Sequence, residues 1–285
     1  MRIMFYNILK DENFAEGFKL KGLNSIKDGH SCRKIICGNG GVPDWFLCQW
    51  NSKYNLIDDG VVEKKPQGFK FYDVSKAVET NLNGTVTLSL DASKEYDEPR
   101  KPDQPWPHIL LEQDIEPFVK MDDISSLRVC GRFGLKEFVD YMGETAKEYH
   151  TAQFVWVVVV KNVNRKSPDF GHFIWVVMSI LDSRYEVTPL YCAQDKALPD
   201  GEFIYSFSSG DYLKNKPKVG EFQSVDFDLY PKMPEILARA QKAKYLTETK
   251  FSDLAVTGMN FGFEITGTYK AVMQVEKPAI LAEKR

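Results

Sequence analysis

The stretch Trp106-Pro107-His108-Ile109-Leu110-Leu111-Glu112-Gln113-Asp114 holds the densest set of groups able to do chemistry. In an extended chain alternate residues share a face, so His108, Leu110, Glu112 and Asp114 point one way. An imidazole and two carboxylates on one face suit proton transfer to a bound molecule, and Trp106 beside them suits stacking. An exposed edge strand produces the same pattern, because charge there deters pairing with other chains. A second stretch, Glu148-Tyr149-His150-Thr151-Ala152-Gln153-Phe154-Val155-Trp156, sets His150, Ala152, Phe154 and Trp156 against Thr151 and Gln153. The plainer account is a core strand whose first residue happens to be histidine. A third alternates His172, Ile174 and Val176 against Phe173, Trp175 and Val177, and ends at Asp182-Ser183-Arg184-Tyr185. An Asp–Arg pair at a strand end is either a structural ion pair or a bidentate grip on a sugar hydroxyl or carboxylate. The fourth stretch lies near the C-terminus. There Phe261, Phe263 and Ile265 face one side, and Gly262, Glu264 and Thr266 the other, with the glycine leaving room for a ligand beside the carboxylate.

These groups sit on segments whose periodicity is two rather than 3.6. Strands are predicted at 46–50, 85–90, 109–115, 127–133, 154–160, 173–180, 203–207 and 269–275, all rich in β-branched and aromatic residues. Asn83-Gly84 marks a hairpin turn before Thr85. Pro234-Glu235 opens a short helix from Ile236 to Lys244, and a weaker one is predicted from Leu135 to Met142. No linker tract or repeat divides the chain. The expectation is all-β: a two-sheet antiparallel jelly-roll sandwich with one or two short helices, as a single domain over residues 1–285.

Composition narrows the partners. Of 285 residues 43% are apolar and 27% charged, which excludes a disordered chain. With 37 Lys+Arg against 40 Asp+Glu the net charge is −3, which argues against nucleic acid. The longest apolar run, Phe154 to Val160, is far too short to span a membrane. Met1 to Asn7 carries no apolar core of a secretory signal, so the chain as given is expected in the cytoplasm, or outside it if a leader was removed. Cys32, Cys37, Cys48, Cys130 and Cys192 form no Cys-x-x-Cys pair; they are read as idle thiols in a reducing compartment, with no metal ligands expected. Gly38-Asn39-Gly40-Gly41 precedes a strand, so it lacks the helix terminus that cradles phosphate. Asp58-Asp59 and Asp122-Asp123 lack EF-hand spacing, and a structural calcium ion is left open.

Gly262-Phe263-Glu264-Ile265-Thr266-Gly267-Thr268-Tyr269 resembles the terminal strands of concanavalin A-like jelly-roll proteins, especially the glucanase type of glycoside hydrolase family 12. The resemblance implies an acid/base role for Glu264 and a carbohydrate partner. The family's nucleophile strand, a Glu followed by a Met-Ile-Trp run, has no counterpart: Phe173-Ile174-Trp175 lacks the glutamate. Glycoside hydrolysis needs two carboxyl groups, about 5–5.5 Å apart for retention or 6.5–9.5 Å for inversion. Glu112 and Glu264 are the expected catalytic pair, with Asp114 as substitute. They are expected to converge on one concave face beside Trp50, Trp106 or Trp175. Trp50, Trp106, His108, Asp114, His150, Gln153, Trp175 and Arg184 are the expected carbohydrate contacts. Three alternatives stand beside the hydrolase. One is a lectin-like binding module with no carboxylate pair. Another is a polysaccharide lyase drawing a base and an acid-neutralising group from His108, Gln113, His150, Gln153, Arg184 and Tyr185. The last is a structural sandwich with no chemistry.

Overall fold

The computed structural model describes residues 4–21, 34–37, 41–101, 104–143, 149–195 and 201–285. Cys32 and Gly38-Asn39-Gly40 lie outside the described residues. The strands, in chain order, begin with β1 (Phe5–Asn7), β2 (Gly17–Lys21), β3 (Lys34–Cys37), β4 (Trp45–Cys48), β5 (Val61–Lys65) and β6 (Gly68–Tyr72). Next come β7 (Lys76–Asn81), β8 (Thr85–Asp91), β9 (His108–Lys120), β10 (Ile124–Asp140), β11 (Ala152–Asn162) and β12 (Phe173–Asp182). The last are β13 (Tyr191–Gln194), β14 (Phe203–Ser206), β15 (Phe222–Asp228), β16 (Leu254–Ile265) and β17 (Tyr269–Lys284). A single α-helix, α1 (Met233–Lys242), appears among the described residues, with Pro234 in its first turn and Met233, Ile236, Leu237 and Ala240 buried.

Two sheets form. One is eight-stranded in the order β15-β10-β17-β8-β7-β6-β5, with β1 also on β17; the other is nine-stranded, β13-β14-β12-β11-β16-β9-β4-β2-β3. All pairings are antiparallel except β12–β14 and β2–β4. This is the jelly-roll-type antiparallel sandwich that the alternation implies. The inward faces meet in an aromatic seam. Phe133 from β10 packs edge-on to Trp156 from β11 at 5.9 Å, and Trp156 lies 5.3 Å from Phe261 of β16. Each such pair adds about 0.5–1.5 kcal/mol beyond its buried area. Trp45 and Trp156 are thus core.

The turn between β7 and β8 is Leu82-Asn83-Gly84, with Gly84 at φ 83°, the left-handed residue a three-residue hairpin requires. The helix expected from Leu135 to Met142 does not form. Residues to Asp140 continue β10, paired with β17 from Leu135↔Met273 to Asp140↔Tyr269. A register shift between Leu135 and Glu137 inserts one residue, so Leu135 and Phe138 both turn to the core. A bulge therefore gives a strand the three-residue apolar spacing of a helix.

Candidate functional site

Strand β9 pairs with β16 on one side and β4 on the other, and β16 pairs onward with β11. Ile109, Leu111 and Ile115 of β9 and Met259, Phe261, Phe263 and Ile265 of β16 lie in the core. Period two then sends His108, Leu110, Glu112 and Asp114, and Gly258, Asn260, Gly262 and Glu264, to the outer face of the nine-stranded sheet. The alternation predicts this correctly.

Glu264 is the centre of the arrangement. Directly across from it stand His108 on β9 and Gln153 on β11. His108 Nε2 lies 3.7 Å from Glu264 Oε2, and Gln153 Nε2 donates a long hydrogen bond of 3.4 Å to the same oxygen. His108 Nδ1 faces the Trp50 carbonyl at 3.2 Å. A carbonyl only accepts, so Nδ1 carries a hydrogen and Nε2 is the nitrogen turned to the carboxylate. The His108–Glu264 contact is attractive only when one further proton resides on the pair. Trp106 continues the row: its ring centroid is 5.7 Å from that of His108, and the Arg100 guanidinium sits 4.8 Å above the indole. The Trp106 indole N–H is buried without a hydrogen-bond partner.

Glu112 and Glu264 share the face, but the register does not bring them together. Glu112 is across from Asn260, four residues from Glu264 along β16, an offset of about 13 Å. Their carboxylates also turn apart. Glu112 is ion-paired to Lys21 of β2 and accepts from the Cys48 thiol at 3.5 Å. The side chain of Lys21 is almost wholly enclosed. Burial pushes the Cys48 thiol well up, with the nearby Glu112 charge adding to it, so this thiol is no nucleophile. The pairing of Glu112 with Glu264 as flanking carboxylates is therefore corrected. Asp114 is exposed on the same face, two residues from Glu112, about 7 Å away along the strand.

Other expected contacts disperse. His150 is buried and turns its Nε2 to the Arg100 carbonyl at 2.7 Å, which ties down the segment before Trp106 instead of meeting a ligand. Arg184 is committed to Asp182 through Nε–Oδ1 at 3.0 Å and Nη2–Oδ2 at 2.7 Å. Burial raises the Asp182 carboxyl, but hydrogen bonds from Arg184 and Thr151 outweigh it and hold the group below the ordinary range. Asp182 lies across from Gln153, hence about 10 Å from Glu264, and is closed to solvent. Trp50 is buried in an apolar cluster with Cys48 and Leu110. Trp175 is half-buried across from Val159, at the level of Gly258, about 20 Å along the strands from Glu264. Gln113 faces inward and exchanges hydrogen bonds with Lys10 at 2.7 and 2.9 Å. With Gln113, His150 and Arg184 so engaged, the base and neutraliser set of a lyase is not assembled.

Gly262 has a different reason from the one its neighbours suggest. Its φ is +150°, and a Cβ there would lie 2.1 Å from the Ile109 carbonyl oxygen. The close approach of β9 requires the glycine, not a ligand. Sequence reasoning missed Lys21, although the alternation Phe18, Leu20 against Lys19, Lys21 carries the signal. Among the described residues no group of three or more His, Cys, Asp or Glu side chains could hold a metal ion, and no helix is long and apolar enough to cross a membrane.

The sequence matches no known protein-family profile and no curated protein sequence. The backbone is similar to solved family 12 glycoside hydrolases. A family 12 xyloglucanase from Bacillus licheniformis, solved in complex with ligand, gives a TM-score of 0.46 at 10% identity, over 78% of this chain and 95% of that one. Endoglucanase Cel12A from Rhodothermus marinus gives 0.45 at 9% identity, over 79% and 99%. The xyloglucanase domain of NopAA from Sinorhizobium fredii, in complex with cellobiose, gives 0.39 at 11%, over 78% and 96%.

Proposed function

We propose that this protein binds carbohydrate on the outer face of its nine-stranded sheet, at the row Gln153–Glu264–His108–Trp106. One observation carries the reading: a partly exposed carboxylate lies between an amide and an imidazole on adjacent strands, beside a partly buried indole. Amide, carboxylate and imidazole exchange hydrogen bonds with hydroxyls, and the indole stacks on the apolar face of a sugar ring. The near-neutral charge of the chain suits a hydroxylated, uncharged partner.

Binding fits this geometry better than hydrolysis, because both positions directly across from Glu264 lack a carboxylate. Glycoside hydrolysis is the second reading, and the placement of Glu112 and Asp114 favours it. Two residues apart on one strand face, their backbone positions are about 7 Å apart along β9, a spacing from which two carboxyl groups can reach the separation of an inverting pair.

Native gels cast with xyloglucan, a soluble cellulose derivative, a mannan or polygalacturonate test both readings. The binding reading expects retardation by at least one neutral polysaccharide and no release of reducing ends from any. No retardation across the panel would remove the carbohydrate reading. Release of reducing ends that Asp114→Asn abolishes would put the hydrolase in its place.

A further inference from the structure

The eight-stranded sheet contains a sealed cluster that the carbohydrate face does not use. Lys76 opens β7 with a side chain 0% exposed, and beside it lie the carboxylates of Asp73 and Glu95, 1% and 2% exposed. Lys76 Nζ is 2.8 Å from Glu95 Oε1 and 3.2 Å from Asp73 Oδ2. It also meets Ser75 Oγ at 2.8 Å and the Tyr54 carbonyl at 2.7 Å.

The two carboxylates are held differently. Asp73 Oδ1 accepts from the backbone N–H groups of Ser75 and Lys76, each at 2.7 Å, while the Ser75 hydroxyl, 3.1 Å away, turns its one proton to Glu95. Asp73 Oδ2 is buried with no hydrogen-bond partner, facing the amine. Glu95 is gripped on both oxygens: Oε1 by Lys76 and Ser75, Oε2 by the Lys53 backbone N–H. One carboxyl therefore has an anchored oxygen and a loose one beside a nucleophile, and the other is fixed as a proton carrier.

The geometry points to a spontaneous amide bond between Lys76 Nζ and Asp73 Cγ, with Glu95 moving the protons. Glu95 Oε1 accepts a proton from the ammonium, and the freed lone pair forms the N–C bond at Asp73 Cγ. The Cγ–Oδ2 bond then breaks, and the oxygen leaves as water with two protons that came from the nitrogen. The ammonium and the Asp73 carboxylate become one amide and one water, and Glu95 ends as it began, so charge and atoms balance with no oxidant or other reactant. Oδ1 becomes the amide oxygen and keeps both of its backbone hydrogen bonds. Exclusion of bulk water protects the product from hydrolysis.

Denaturing mass spectrometry of the full chain reads the result directly. The expected intact mass is lighter than the sequence mass by one water. Trypsin should fail to cut after Lys76, leaving one peptide from Phe71 to Lys94 that is also lighter by one water. Asp73→Asn should still link but lose one ammonia, whereas Glu95→Gln and Lys76→Arg should show their full masses. The full sequence mass with ordinary cleavage after Lys76 would overturn the proposal. So would a one-water loss with cleavage intact, which marks dehydration without a cross-link, or a peptide joined through Glu95, which reverses the assigned roles.

Discussion

Replacing Gln153 by Glu places a second carboxylate directly across from Glu264. The present amide–carboxylate contact is 3.4 Å, so the two charges of the variant would stand about 4 Å apart. At an effective dielectric constant near 20 that repulsion is about 4 kcal/mol. The Glu264 side chain is 24% exposed, and solvent screening reduces the cost to about 1–2 kcal/mol. One carboxyl of the variant pair should then hold its proton to a higher pH than an isolated glutamate does. A folded-state value raised above the unfolded one gives a penalty that is full at neutral pH. It disappears as pH falls through the raised folded value toward the unfolded value of about 4.3. Urea unfolding of parent and variant at pH 7 and pH 4 measures this. The variant should be less stable at pH 7 by the stated amount and nearly equal to the parent at pH 4. The same deficit at both pH values, or none at either, would show that residues 153 and 264 do not meet across β11 and β16, and the carbohydrate row would lose its centre.

Asp182→Asn should cost about 3 kcal/mol, the lower end for breaking a buried ion pair, because the solvent-exposed Arg184 it leaves still reaches water. Since the Asp182 carboxyl is held low, the stability it supplies is present above its unfolded value and lost as pH falls below it; urea melts from pH 6 to pH 2 should show parent and variant converging in acid. Gly262→Ala should destabilise by about 3 kcal/mol or fail to fold, since its Cβ has no space against the Ile109 carbonyl, and a thermal melt reads it. Lys21→Met should cost about 3 kcal/mol through the unpaired Glu112 carboxylate, and the combined change Lys21→Met with Glu112→Gln should recover most of it in the same assay.

The sandwich was legible because burial on one face imposes period two, and every strand expected in the sequence forms. The failures have local causes. The β10 bulge gives Leu135 and Phe138 helical spacing, and β5, with four exposed residues, offers no alternation to find. The site was legible one strand at a time. Alternation correctly sent His108, Glu112, Asp114 and Glu264 to one face. It says nothing of the register between β9 and β16, and register decides that Glu264 meets His108 and Gln153 while Glu112 meets Lys21. Buried pairs such as Asp182–Arg184 resemble ligand groups until their partner is seen.

The five tryptophan indole N–H signals test the central claim most directly. In a proton–nitrogen correlation spectrum, with Trp106→Phe assigning one resonance, an oligosaccharide cut from a polysaccharide that retards the protein should move the Trp106 signal. The core signals of Trp45 and Trp156 should stay in place. A bound oligosaccharide that leaves Trp106 unmoved would contradict the assignment of the ligand to the Gln153–Glu264–His108–Trp106 row.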